Sequence, residues 1–238
     1  MLKYEQIAED LRQEIRQGKY TSGDQLPLEK DMCEKYKVSR VTIKRAMDEL
    51  VKQGLVTKRR GSGTFVKTLD DNYAKQLSIS TGNQFSGFAE TYKGRHISTK
   101  VLRFEIVHPS EEVAKKLQMS TQDFVYDIIR LRILDDVPMV IEYTMMPIQL
   151  VPGIRNEILE HSIYHHIEKT LKLNIQSAHR IVRAVRSTEM EQEQMQLAPN
   201  DPILEVEQVA FFSDGHPFEY SISHHRADKS EFSAISVR

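Results

Sequence analysis

The sequence predicts two domains. A mainly α domain of three helices and a β-hairpin comes first, and an α+β domain with a mostly antiparallel sheet follows. Three observations carry this. Apolar spacing is helical over roughly the first fifty residues and becomes long alternating runs from about Phe85 onward. Charge is split: residues 1–68 hold fifteen Lys+Arg against ten Asp+Glu, whereas the remainder holds eighteen against twenty-four. A polar stretch, "TLDDNYAKQLSISTGNQ", separates the two patterns. The expected boundaries are 1–68, a linker over 69–84, and 85–238.

The whole chain of 238 residues has a net charge of -1, which by itself names no polyanionic partner. The basic front and acidic back imply different partners for the two parts. A single cysteine, Cys33, rules out an internal disulfide and fits a reducing compartment. The N-terminal "MLKYEQIAEDLRQEI" is amphipathic and acidic, unlike a signal peptide, and no apolar run has the length of a membrane span. A cytoplasmic location without a membrane partner is expected.

Ile7, Leu11 and Ile15, with Tyr4 and Ala8, define the first helix, which Gly18 ends. "TSGDQLP" reads as a turn, and a short helix is expected from Leu28 to Tyr36 with Met32 and Cys33 inward. Cys33 has no activating neighbour and reads as a small buried apolar residue. Ser39 is an N-cap and Gly54 a C-terminal stop for a third helix with its apolar stripe at Ile43, Met47, Leu50 and Val51. Its other face carries Arg40, Thr42, Lys44, Arg45 and Asp48. Short helix, tight turn and longer helix with a basic start make a helix-turn-helix, whose second helix meets base edges in the major groove. For this helix alone a solvated charged face would be the better reading.

"LVTKRR" and "GTFVK", separated by Gly61-Ser62-Gly63, then form a hairpin. A nucleotide-binding loop is excluded because no Gly-x-x-x-x-Gly-Lys-Ser/Thr is present. A free linker is disfavoured because Phe65 and Val66 call for burial. A basic hairpin directly after a helix-turn-helix is a wing, with Lys58, Arg59 and Arg60 placed for phosphate or minor-groove contacts and glycines allowing close approach.

The stretch "GDQLPLEKDMCEKYKVSRVTIKRAMDELVKQGLVTKRRGSGTFV" resembles the winged-helix domain of the GntR family of bacterial transcription regulators, over residues 3–67. The resemblance implies DNA contacts at Lys30, Ser39, Arg40, Thr42, Lys44, Arg60 and Gly61. Leu28 stands where the family has Ser, and Lys30 and Lys44 where it has Arg. A lysine is a point charge and not a bidentate fork, so an inherited base preference does not carry over at Lys44.

In the back region "HISTKVLRFEIV", "DFVYDIIRLRIL", "PMVIEYTMM", "IQSAHRIVRAVRS", "ILEVEQVAFF" and "PFEYSISHHRA" read as strands. "SEEVAKKLQM", "SIYHHIEKTL" and "EMEQEQMQLA" read as helices. An internal echo at an offset of 78 pairs Asp123 with Asp201 and Val125 with Ile203, which predicts two similar halves.

Arg130 and Arg132, two apart on a strand, share a face, and Glu142 lies on the returning strand. Two guanidiniums and a carboxylate suit an anionic, hydroxyl-rich molecule. On spacing alone a surface salt-bridge ladder is the better reading. The region from Ser86 to Val237, through "RLRILDDVPMVIEY", "HSIYHHIEKTL" and "SDGHPFEYSISHHRAD", resembles the UTRA effector-binding domain of the HutC subgroup, which has a chorismate-lyase-like fold. That resemblance reverses the balance. It adds Ser86, Phe88, Ser162, Tyr164, Glu219, His225 and Arg226 as effector-binding positions. His165-His166 and His224-His225 lack metal-ligand spacing, and no CxxC exists, so no metal or cofactor is expected.

The expected function is a transcription regulator, a repressor, that binds a palindromic double-stranded operator as a homodimer and responds to a small anionic effector such as a phosphorylated sugar. Two alternatives remain at this stage: a DNA-tethered enzyme with a lyase-like back domain, and an effector-free DNA-binding scaffold. No nucleophile elbow, Ser-His-Asp order or cofactor fingerprint supports the enzyme.

Overall fold

The computed structural model describes residues 2–67 and 87–232, which form two compact units, the second running over Phe85–Glu231. The expected linker over 69–84, and Ser86, lie outside the described residues.

In the first unit α1 spans Lys3–Arg16, α2 Glu29–Tyr36 and α3 Arg40–Lys52. The helical stripes converge on one core: Ile7, Ala8 and Leu11 of α1, Met32 of α2, and Ile43, Ala46, Met47 and Leu50 of α3 are buried together. Cys33 packs partly buried against the same core. α2 stops at Lys37, which takes a left-handed conformation at φ 52°, and Ser39 then caps α3 by accepting from the Thr42 N–H. The wing is β1 (Val56–Arg59) paired antiparallel with β2 (Gly63–Val66). The segment expected to be only a turn also joins the wing: Leu26 N–H donates to Thr64 O at 2.8 Å and Val66 N–H to Asp24 O at 2.9 Å. Gly63 sits at φ +119°, where L side chains are strained, and a Cβ there would have to displace the movable amide of Gln25. The positive φ of this turn is what favours glycine there.

The second unit is a six-stranded antiparallel sheet. Its strands are β3 (Ile97–Val107), β4 (Val125–Leu134), β5 (Val137–Pro147), β6 (Ile175–Arg186), β7 (Pro202–Phe212) and β8 (Pro217–Arg226), in the order β3-β4-β5-β8-β7-β6. Its helices are α4 (Phe88–Thr91), α5 (Glu111–Lys116), α6 (Asn156–Leu159), α7 (Ile163–His165) and α8 (Glu189–Met195). One face of the sheet packs on α5 and α8 through Val113, Leu117, Met195 and Ile203. The other packs on α6 and α7 through Leu159, Ile163 and Ile167. Residues 163–171 are not the single α-helix expected: α7 is one turn and passes into a π-helix over His166–Thr170.

The offset of 78 holds across the halves. β3 begins at Ile97 and β6 at Ile175, and α5 begins at Glu111 and α8 at Glu189. Ser110 and Thr188 are the corresponding N-caps, and Gln118 and Gln196 both adopt positive φ, 51° and 56°. β5 and β8 meet at the centre, so residues from both halves come together on each face there.

Candidate functional site

The first surface is the start of α3. Ser39 Oγ and Thr42 Oγ1 lie 3.0 Å apart, which ties the two hydroxyls to the helix entry. Arg40 is largely exposed, with its Nε 3.6 Å from Glu29 Oε2, and Lys30, Lys44 and Arg45 are exposed. On the wing, Arg59 stacks over Phe65 with its guanidinium carbon 4.7 Å from the ring centroid. Arg60 and Gly61 form the exposed tip, Gly61 at φ +75° with open space around it. Lys58, expected to serve phosphate or minor-groove contacts, is exposed, and its Nζ donates to Asp48 Oδ1 of α3 at 2.6 Å. It braces the wing against the helix.

The second site lies on the sheet face covered by α6 and α7. Pleat and register decide its membership. Arg130 pairs across with Glu142, Arg132 with Val140, and β5 continues the rows to β8 at Ser223 and His225. Arg130 and Arg132 are only 6% and 3% exposed, so they are not a surface ladder. Arg130 is held by three acceptors: Glu142 Oε2 at 2.7 Å, Leu159 O at 3.2 Å and His161 O at 3.3 Å. Arg132 shares that same Glu142 oxygen at 3.5 Å, and its guanidinium carbon sits 4.9 Å from the centroid of the Phe88 ring. The Nε atoms of both arginines are buried without a hydrogen-bond partner among the described residues. Burial would raise the Glu142 pKa, but the two guanidiniums outweigh it and hold the carboxyl below its ordinary range. Burial pushes His225 down to about 4, so it stays neutral near pH 7.

The second half supplies an adjoining polar row. Gln208 accepts from Arg180 Nε at 2.7 Å and donates to Tyr164 Oη at 3.2 Å and to Glu219 Oε1 at 2.9 Å. Ser221 Oγ donates to the same Glu219 oxygen at 2.7 Å, and burial raises the Glu219 pKa. Ser162 caps α7 by accepting from the His165 N–H. The sequence reading missed Arg180, Gln208 and Ser221. The signal available was strand parity: Gln208 is the counterpart of Arg130 at the offset of 78.

Arg226 does not join this cluster. Adjacent strand residues point to opposite faces, so Arg226 follows His224 to the α8 side, where it donates to Met195 O and binds Asp228. Next to it on that face, His224 is held between Glu191 and Glu205, and Tyr143 Oη donates to Glu191 at 2.7 Å. Among the described residues no group of three or more His, Cys, Asp or Glu side chains is placed to hold a metal ion.

Residues 3–66 match the description "Bacterial regulatory proteins, gntR family", and residues 93–231 match the UTRA domain. The regulator GmuR of Bacillus subtilis is 40% identical over all of both chains. The chain belongs to the GntR family. Within that family it is also similar to MngR of Escherichia coli, the mannosyl-D-glycerate transport/metabolism system repressor, at 33% identity over 99% of this chain and 96% of that one. The crystal structure of the possible regulator YydK of Bacillus subtilis superimposes with a TM-score of 0.78 at 26% identity, covering all of both chains. This GntR-family chain is thus a DNA-binding transcription regulator with a helix-turn-helix domain and a UTRA domain. Among its described residues no helix is long and apolar enough to cross a membrane.

Proposed function

We propose that this chain is a repressor whose UTRA domain binds a small anionic, hydroxyl-bearing metabolite and thereby changes operator affinity. One observation carries the ligand class. Two buried arginines share one carboxylate oxygen, and both keep an unused buried N–H. Arg130 already has three acceptors, so Arg132 is the group with capacity for an incoming carboxylate or phosphate. Gln208, Glu219, Tyr164 and Ser162 supply donors and acceptors for hydroxyls, and Phe88 covers the arginine. The printed name of MngR, with a carboxylate-bearing glycoside, supports the same chemistry. A phosphorylated sugar fits it equally.

On the DNA side, Arg40, Thr42 and Lys44 meet base edges, Ser39, Arg45 and Lys30 serve the backbone, and Arg59, Arg60 and Gly61 place the wing. Two chains pair and read a palindrome, because protein two-fold symmetry is mirrored in half-sites. The polar cluster holds its ligand and turns nothing over.

The experiment is thermal unfolding of the full chain against hexose phosphates, glycosyl carboxylates and the matching neutral sugars. Stabilisation by the anionic members alone, lost in Arg132→Ala, with the compound recovered unchanged, supports the proposal. Stabilisation by neutral sugars alone removes the anion site. A consumed compound favours an enzyme.

A further inference from the structure

Val41 is the most exposed large apolar side chain among the described residues, at 64%. It occupies the second position of α3, between Arg40 and Thr42. The inward face of that helix is complete without it, since Ile43, Ala46, Met47 and Leu50 are all buried. A β-branched residue on the outer face of a helix gains no packing and is a poorer helix former than alanine. A single exposed valine is ordinarily unremarkable on a protein surface. Here its surroundings select an occupant. Lys44 and Arg45, at i+3 and i+4, lie on its side of the helix, and Arg40 precedes it, so it is an apolar spot framed by three exposed cations. The cations fit a polyanion, and the spot fits an apolar group carried by that polyanion.

The major groove of DNA presents one such group, the C5-methyl of thymine. We infer that Val41 reads a thymine methyl in each half-site and so fixes a T·A pair that the cations beside it do not specify. Valine in a helix has essentially one side-chain rotamer, so its two methyls are already placed and little entropy is lost on contact. A polar residue at this position would accept a donor or acceptor from other bases, whereas valine discriminates only by apolar contact. The inference rests on the proposed entry of α3 into the major groove.

The test starts from a duplex selected by the full chain from a random library. Each thymine of the selected site is then replaced in turn by deoxyuridine, which removes only the methyl. Wild type should bind about fourfold more weakly per half-site at one position, the worth of roughly one buried methyl. Val41→Ala, which keeps the helix, should bind the thymine and uracil duplexes equally and should select sites degenerate at that position. Arg40→Ala is measured in parallel. If no uracil substitution separates wild type from Val41→Ala while Arg40→Ala changes the selected sequence, the role of Val41 is wrong and the reading of α3 stands. If neither variant alters the selected sequence, α3 is not the reading helix and both fail.

Discussion

Glu142 is the residue on which the UTRA cluster balances. Its one oxygen serves Arg130 at 2.7 Å and Arg132 at 3.5 Å, and both arginines are buried. Removing one partner of a buried ion pair leaves an uncompensated charge and costs about 3–5 kcal/mol. Glu142→Gln is therefore expected to lower the unfolding free energy of the second unit by about 3 kcal/mol, measured by denaturant titration, with inorganic phosphate restoring part of it. An unchanged midpoint would mean that the arginines do not depend on this carboxylate. The Arg130, Arg132 and Glu142 grouping was legible because strand parity fixes it. Burial was not legible, since the helices that cover this face are short and irregular. The placement of Arg226 failed by the same parity rule, which put it one residue and one face away from His225. The ion pair of Lys58 with Asp48 was not legible, because the two residues come from different elements.

At the scale of elements, β8 carries two histidines with opposite electrostatics. Burial lowers His225 from 6.5 to about 4, so the unfolded chain binds more protons in that interval. Its contribution to stability is complete above pH 6.5 and is lost as the pH falls toward about 4. His224 goes the other way. Burial would lower it, but Glu191 and Glu205 outweigh that and raise it. Its contribution is complete below the ordinary imidazole range and is lost as the pH rises through the raised value. Stability measured against pH should therefore keep its acid limb in His224→Gln and lose part of that limb in His225→Gln. Equal effects of the two changes on the acid limb would contradict the assignment.

The helix caps offer a separate check. Thr188 accepts from the Glu191 N–H while Glu191 Oε2 accepts from the Thr188 N–H at 2.8 Å. Thr188→Ala should cost about 1 kcal/mol in the same denaturant measurement. A loss below a few tenths would show that the cap contributes nothing. Strands and the three front helices were readable because their apolar periods are long. The one-turn helices α4 and α6 are too short to show a period, and the π-helix after α7 keeps an apolar pattern that an α-helix would also satisfy. The pairing of Gln25 with the wing was hidden because backbone bonds between distant segments leave no mark on composition.

For the whole molecule, the echo at 78 was a true sign of duplication, visible because caps, turns and strand starts are fixed by local chemistry that both halves retain. The halves diverge at the buried polar cluster, with Arg130 in one and Gln208 in the other. That asymmetry gives the proposed site two arginines on one carboxylate at one end and a glutamine bridging Arg180, Tyr164 and Glu219 at the other. The first unit alone, residues 1–70, should bind a selected operator much more weakly than the full chain, because one half-site contact replaces two. Equal affinity in a gel-shift titration would remove pairing from the account.

In the proposed mechanism an anion held at Arg132 alters DNA binding in another unit of the chain. Such coupling has a typical size of about 1–3 kcal/mol, or roughly a 5- to 150-fold change in operator affinity. The direct measurement is the operator affinity of wild type and Arg132→Ala, each with and without a saturating amount of the compound that stabilises the wild type. Wild-type affinity should shift within that range, and Arg132→Ala should bind the operator normally and show no shift at the same concentration. A wild-type shift retained in full by Arg132→Ala, or an operator affinity lost in Arg132→Ala without any ligand, would contradict it.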